Sequence, residues 1–528
     1  MAIISNYVRE DWEYSIEEIR CLFSFNSESY KEYEKSEEKA NCELKIFIKE
    51  LLSRRLIKEK KKSNRSDEEC LGDDEIDEAE IEFDNYSDND LIKEKKKYAF
   101  SFVGIIICHS RIIYSYPKYF GDSFTLPSEV SVDELGQVIR VIEKYSREKA
   151  KQEINDISLF VDEDDAGEIN TLSVMLFLLE DYAANGVYEN NERIIEINGS
   201  GEILWQKTVD ETYPLIVDNK PYYFELFTKK TINNEFDYFK MLHEYVLTQC
   251  SIEVKKTGLD HFFSLPSAYL SEEEESYFGD TDHIINQLNS EISVTYDDRK
   301  IFVLKAMKLY FNSNKILVGD IEIQLIGTRS YNLIWEEVCA KVFESQKGDK
   351  DRRPTIDEIE PRIDYSLINI QFDKKPPTLV ELIKHPIWKK YKKGSKGIPA
   401  KQTFTPDFLR FEPNSTEESY TFYILDAKYY CPVWTDKSII KQPGVEDVAK
   451  QYLYYLAYRD ILEQYNVTEV KNYFIMPKRK SDPQTPGFVK LDILKKLGLG
   501  VVEVRMLDPI LLYEKYLNNQ HIDLSDLH

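Results

Sequence analysis

The sequence lacks any apolar run long enough to cross a bilayer. Its longest such stretches, among them 102–108 and 174–179, fall far short of the roughly 20 residues that a spanning helix needs. The first residues, MAIISNYVREDWEYS, hold acids where a signal peptide has an apolar core, so no export signal is expected. Cysteine is scarce and scattered, at positions 21, 42, 70, 108, 250, 339 and 431, with no CxxC pair. That spacing fits neither a disulfide framework nor a zinc site, and it suits a reducing, cytoplasmic setting. The histidines include no HExxH, and no GxxxxGK[ST] phosphate loop is present, so the chain is not expected to hydrolyse nucleotides itself. Basic residues are in deficit, 69 Lys+Arg against 95 Asp+Glu, a formal net charge of −26. This excludes a uniformly basic nucleic-acid coat or a polybasic membrane binder, but not a local basic patch.

What remains is ample material for folding. A chain of 528 residues that is 42% hydrophobic and 13% aromatic can bury cores in roughly two to four domains. Four segments are expected. Residues 1–63 read as helical, because Leu44, Phe47, Ile48, Leu51 and Leu52 recur at spacings of three and four. Residues 64–97 read as an acidic, disordered linker, since 66–90 hold 13 acids and no Lys or Arg. Residues 98–314 read as an α+β region. It has a strand-rich run YAFSFVGIIICHSRIIYSYPKYF, helical patterns near 132–155, 170–184 and 233–250, and turn signals at Asn198-Gly199 and Asp218-Asn219. Residues 315–528 form the segment that carries chemistry.

There, TPDFLRFEP opens a short strand at Thr405, and YTFYILDAKYY forms a second from Tyr420 to Tyr430. Strand side chains alternate faces, so Asp426 and Lys428 emerge side by side, while Tyr423, Leu425 and Ala427 face a covering helix. If the two strands pair as a hairpin, Asp407 comes beside Asp426. Two carboxylates with an ammonium suit Mg²⁺, a hard cation that takes oxygen ligands and phosphates. The helix pattern around Tyr331–Phe343 places Glu336 on a flank where it would be a third carboxylate. A second helix, opened by Pro443-Gly444, puts Gln451 and Tyr455 at i, i+4 on one face, where the pair can hydrogen-bond nucleotide or catalytic groups.

Pro406-Asp407, Asp426-Ala427-Lys428, a preceding helix glutamate and Gln451-x-x-x-Tyr455 together resemble the PD-(D/E)XK nuclease superfamily. An ordered series of stretches further resembles LlaJI-type restriction endonucleases, relatives of the McrC nuclease subunit of McrBC-like systems. The stretches are FVGIIICHSRIIYSYPKYF, NGSGEILWQKTVDETYPLI, DYFKMLHEYVLTQCS, GTRSYNLIWEEVCAKVF, TPDFLRF and LDAKYY. The resemblance spans most of 98–528, while 1–97 match nothing comparable. It implies an α/β C-terminal PD-(D/E)XK nuclease domain, a mixed sheet flanked by helices, with Asp407 and Asp426 on adjacent central strands and an α+β region before it. It implies Asp407, Asp426 and Glu336 as Mg²⁺ ligands (Glu337 if the register shifts by one), Lys428 as the catalytic lysine and Gln451 as a further site residue. A restriction enzyme acting on double-stranded DNA follows, with a separate, GTP-dependent, McrB-like AAA+ subunit and cognate DNA methyltransferases as partners. Two other readings share these residues, an inactive nuclease fold that only binds DNA or assembles, and a recombination or end-processing nuclease.

A local reversal of charge precedes Pro406-Asp407. Residues 374–401 hold nine lysines, including Lys389, Lys390, Lys392, Lys393, Lys396 and Lys401, against the single acid Glu381. A phosphate backbone approaching Asp407 would meet these first. Trp388 and Tyr391 are interleaved with them and can stack or pack.

Overall fold

The run Tyr420–Ala427, YTFYILDA, strings together aromatic and β-branched residues that suit a pleated surface, and seven of its eight residues are buried. Burial on both faces marks a strand covered from two sides. It is one of five strands of a mixed sheet. These are β1 (Phe408–Pro413), β2 (Tyr420–Ala427), β3 (Val467–Pro477), β4 (Gly487–Val489) and β5 (Val502–Leu507), in the spatial order β1-β2-β3-β5-β4. β1 runs antiparallel to β2, β2 and β5 run parallel to β3, and β4 returns antiparallel to β5. The computed structural model describes residues 4–25, 36–60, 96–121, 132–153, 170–233 and 237–527. Within the last range, 264, 314, 316, 318–322, 347–355, 357, 360, 362–376, 392–395, 415–418, 466, 480–481 and 483–486 are excepted. The acidic stretch 66–90 and Lys392 and Lys393 therefore lie outside the described residues.

Helices cover both faces of the sheet. Leu409, Phe411, Phe422 and Ile424 point to α2 (Val445–Gln464), where they pack with Tyr454, Tyr458, Ile461 and Leu462. Further along, Phe474, Met476, Val502, Val504 and Met506 meet Val448 and Tyr452 of the same helix. Each such side chain contributes roughly 1.5–3 kcal/mol when fully buried. The opposite face meets α1 (Tyr331–Val342), whose Trp335 indole donates to the Ile475 carbonyl at 3.2 Å. Phe343, which caps α1, lies edge-on to Phe408 at 6.4 Å, and α3 (Pro509–Leu517) presents Tyr513 to Trp335 at 6.4 Å. The expected mixed sheet flanked by helices is thus present. One detail differs: β1 stands at the edge of the sheet, so Asp407 and Asp426 are on adjacent strands but not both on central ones.

The chain divides into two compact units, each assembled from separated stretches. This discontinuity has no counterpart in a linear reading into 1–63, 64–97, 98–314 and 315–528. The larger unit comprises Ile4–Ile106, Ile112–Lys149 and Ile326–His528, and contains the sheet above. Its N-terminal part, expected to be helical, does carry the helices Ile16–Leu22 and Ser36–Ser53. It also has strands at Ile4–Arg9, Glu13–Ser15 and Ile57–Glu59. The last two pair with Lys97–Phe100, a partner that is distant in sequence and so absent from any local pattern. Gly104 and Gly327 make a close backbone approach in this unit. A Cβ on Gly104 would lie 2.0 Å from the Ile326 oxygen, and both glycines have a φ (140° and 149°) that other residues avoid.

The smaller unit comprises Ile107–Arg111 and Ala150–Leu325. Its helix Thr171–Asn185 is capped by Asn170, whose side chain accepts from Ser173 N at 3.1 Å. This apolar helix packs with Tyr238–Thr257 and Asp298–Asn312. The two turn signals are realised. Asn198, and the pair Asp218 and Asn219, have positive φ, the latter two closing the hairpin of Leu215–Val217 with Lys220–Tyr222. His243 is fully buried in the unit and accepts from Tyr188 N at 2.9 Å, and burial holds its pKa down at about 4.

Candidate active site

The register of the β1–β2 hairpin builds the site. Phe408 pairs with Leu425, which sets Asp407, one residue before β1, level with Asp426. The Asp407 Oδ2 accepts from Ala427 N at 3.2 Å. Asp426 is on the α2 side of the sheet, in line with Phe422 and Ile424, and only 4% exposed. Burial, and then the charge of Asp407, push its carboxyl well above the usual range, with Lys428 opposing. The sequence-based expectation that Asp407, Asp426 and Lys428 converge therefore matches the geometry.

Lys428 directly follows β2 and is held from two sides. Its Nζ lies 3.4 Å from Asp426 Oδ2 and 3.1 Å from Asp447 Oδ1. Burial alone would lower its pKa, but the charges of Asp426, Asp447 and Asp407 outweigh that and raise it, so the ammonium stays charged. Asp447 was not among the sequence candidates. It sits in the first turn of α2, is buried, and accepts from Gly444 N at 3.2 Å. The signal was available, because Asp447 precedes Gln451 by four residues and so shares its helix face.

Gln451 is fully buried beneath the sheet. Its backbone oxygen accepts from Asn472 Nδ2 of β3 at 3.1 Å, yet neither atom of its side-chain amide has a partner among the described residues. An orphaned amide in a buried site costs on the order of 1–3 kcal/mol. Of the helix tyrosines, Tyr454 rather than Tyr455 is turned toward the acids. Its hydroxyl donates to the Thr405 carbonyl at 3.3 Å, and burial, followed by the charges of Asp426 and Asp407, raises its pKa. Tyr455 instead packs against the core of Leu409, Phe411, Phe422 and Tyr458.

Glu336 is half-buried on α1, one residue from the Trp335 anchor. The thiol of Cys339, one turn along, is raised by burial and then by Glu336 and Asp407, so α1 lies over the Asp407 end of the hairpin. Among the described residues of this unit, no three acidic, Cys or His side chains bring ligand atoms within 4.8 Å of one another. Glu336 therefore flanks the Asp407–Asp426 pair without closing a cage on it. Glu337 turns to Lys341, 4.0 Å away on the same helix.

The donor set fits a hard cation. Asp426 and Asp447 flank the ammonium of Lys428 and Asp407 lies beside Asp426, an excess of negative charge in a largely buried place that a divalent ion would offset. The buried Gln451 amide adds a further polar group whose hydrogen bonds are not made among the described residues. The lysine-rich stretch takes the form of a small ribbon, Ile387–Trp388 paired with Ile398–Pro399, and Lys389, Lys390, Lys396 and Lys401 are exposed around it. Among the described residues, no helix is long and apolar enough to cross a membrane.

Residues 102–356 and 362–512 match a family model described as LlaJI restriction endonuclease. The Type II restriction enzyme BsuMI component YdjA of Bacillus subtilis (strain 168) is 28% identical over 437 residues, covering 81% of this chain and 83% of that protein. Among solved structures, a half-complex of Thermococcus gammatolerans McrB AAA+ hexamers with bound McrC aligns over 98% of this chain and 99% of its own. It does so at 11% identity and a TM-score of 0.34, too slight a likeness to argue from.

Proposed function

Starting from a chain that belongs to the LlaJI restriction endonuclease family, we propose that it is the DNA-cleaving subunit of a restriction system, a Mg²⁺-dependent endonuclease built on the PD-(D/E)XK plan. The observation that carries this reading is the hairpin register that brings Asp407 and Asp426 together beside a charged Lys428. Asp407 and Asp426, with Glu336 on the flank, are the residues that would hold Mg²⁺. When bound, that ion offsets negative charge at a scissile phosphate and makes a nearby water easier to deprotonate.

The chain's own groups supply the rest. The ammonium of Lys428, fixed between Asp426 and Asp447, donates to a phosphate oxygen as charge builds there, and needs no reorganisation to do so. Asp447 holds the lysine at its post and keeps it protonated. The buried amide of Gln451 is a donor and acceptor available to orient a water. The exposed lysines of the ribbon meet the backbone of double-stranded DNA on its way to Asp407. A separate McrB-like, GTP-hydrolysing AAA+ subunit and cognate methyltransferases complete the proposed system, which would act in the cytoplasm.

The test is cleavage of closed circular, unmodified plasmid with Mg²⁺, in parallel with and without the AAA+ subunit and GTP. Wild type is expected to cut, and Lys428→Ala to lose on the order of 10²–10³ in rate. Equal cutting by both proteins overturns the site assignment. Cutting only at free ends points to end-processing instead. No cutting in either reaction overturns the cleavage reading in favour of an inactive nuclease fold.

A further inference from the structure

The ribbon before Asp407 shows more than charge. Ile387 and Trp388 pair with Pro399 and Ile398, and these strands would ordinarily hide such side chains. Here Trp388 is 74% exposed, Ile387 72% and Ile398 67%, and Tyr391, just beyond the paired residues, is fully exposed. Single exposed apolar residues are ordinary, but four on one short ribbon are not. The same ribbon is strongly basic. Residues 384–401 contain seven lysines and no acid, in a chain whose net charge is −26.

The ribbon is also fixed at its base. Thr403 Oγ1 donates to the Lys384 carbonyl at 3.1 Å, and Ala400 N donates to the Pro386 carbonyl at 2.7 Å. Ahead of it, Leu382 and Ile383 are buried in the core formed with Tyr458, and the Tyr458 hydroxyl donates to the Leu379 carbonyl at 2.8 Å. Behind it, Phe404 packs edge-on against Tyr454 at 6.2 Å, three residues before Asp407. Both ends thus rest on α2, the helix that carries Asp447 and Gln451. The exposed aromatics stand at a set position relative to the acids.

We propose that the ribbon is a base-stacking wedge, in which Trp388 and Tyr391 insert against the bases of duplex DNA while Lys389 and Lys390 engage the adjoining phosphates. This rests on the reading of the chain as a DNA-cleaving enzyme and deepens it. A two-stranded ribbon fits a duplex groove, and apolar or aromatic side chains at a groove unstack a base step and let the helix bend. The charge of the ribbon selects a polyanion over a protein surface, and its aromatic faces select bases over bare phosphate.

The experiment measures binding of the full-length protein to a short mixed-sequence duplex by fluorescence anisotropy. Ca²⁺ replaces Mg²⁺ so that binding is read without cutting. Stacking by each aromatic contributes about 1–3 kcal/mol, so the double variant Trp388→Ala, Tyr391→Ala is expected to bind at least roughly 30-fold more weakly with an unchanged salt slope. Trp388→Phe with Tyr391→Phe should restore binding. Lys389→Gln with Lys390→Gln should instead flatten the dependence of log affinity on log salt by about 1.8. Permanganate reactivity of unstacked thymines should appear with wild type and vanish with the double alanine variant. Binding and permanganate patterns indistinguishable from wild type in that variant, while plasmid is still cut, overturn the wedge alone. No duplex binding by wild type, either alone or with the AAA+ subunit and GTP, overturns the cleavage reading and the wedge together.

Discussion

Two buried polar centres flank the peptide bond between Lys428 and Tyr429, and they are built on opposite terms. On one side, Tyr119, Tyr331 and Tyr513 form a closed chain of hydroxyls, with 2.8 Å from Tyr119 to Tyr513 and 2.8 Å from Tyr331 to Tyr513. Next to it the Tyr429 hydroxyl donates to Glu10 at 2.6 Å, and Lys118 N donates to the same carboxylate at 3.3 Å. The ammonium of Lys118 lies 4.3 Å from the centre of the Tyr429 ring. The Glu10 carboxylate there takes two donors, the Lys118 ammonium rests on an aromatic face, and each of these hydroxyls has a hydrogen bond. On the other side, Asp426 and Asp447 crowd one ammonium with Asp407 next to Asp426, and a buried glutamine amide has no partner among the described residues.

The difference teaches how to tell structural polarity from functional polarity. A satisfied buried network stabilises a fold and makes it specific. A crowded, incompletely satisfied one costs stability, and persists where it does chemistry. Both centres are rich in tyrosine or acid, so composition does not separate them. Hydrogen-bond completeness does.

Three perturbations sharpen the contrast, beginning with the largest. His243 of the smaller unit is a buried group whose Nδ1 accepts from Tyr188 N and whose pKa is held down at about 4. Between pH 6.5 and 4 the unfolded chain takes up a proton that the folded one refuses, so stability falls as pH drops through that window. The loss from this one group should approach about 3 kcal/mol. Thermal unfolding followed against pH should show it in wild type, and much less of it in His243→Asn. Next, Tyr513→Phe removes the hydroxyl shared by Tyr119 and Tyr331 and should cost about 1–3 kcal/mol, read as a lower Tm, while plasmid cleavage at a permissive temperature is retained. If cleavage fell and the Tm held, the two centres would have been assigned the wrong way round. Smallest, Gln451→Met replaces an unpartnered amide with an apolar chain of similar length. Denaturant unfolding should show a gain of about 1 kcal/mol, accompanied by slower cleavage.

How much of this could be read in the sequence follows from how local each feature is. The pairing of Asp407 with Asp426 was legible because a hairpin between neighbouring strands has one sensible register, and period-two alternation then fixes which side chains meet. The choice between Tyr454 and Tyr455 was not, because both flank Gln451 on the helix and only the docking of α2 on the sheet turns one of them to the acids. Asp447 was missed for a related reason. Its place in the first turn of α2 reads as an ordinary helix-start acid until Lys428 arrives from β2. Tyr429 and Glu10 are 419 residues apart, and no periodicity reports such a contact. The edge position of β1 likewise depends on where β3 and β5 insert.

The most direct test of the contrast is Asp426→Asn, with Tm and plasmid cleavage measured on the same preparation. Removing one of the crowded carboxylates leaves Lys428 paired with Asp447, so the account predicts a Tm equal to or above that of wild type together with loss of cleavage. A protein that loses Tm and still cuts would show that the acid cluster holds the fold together and that the chemistry lies elsewhere.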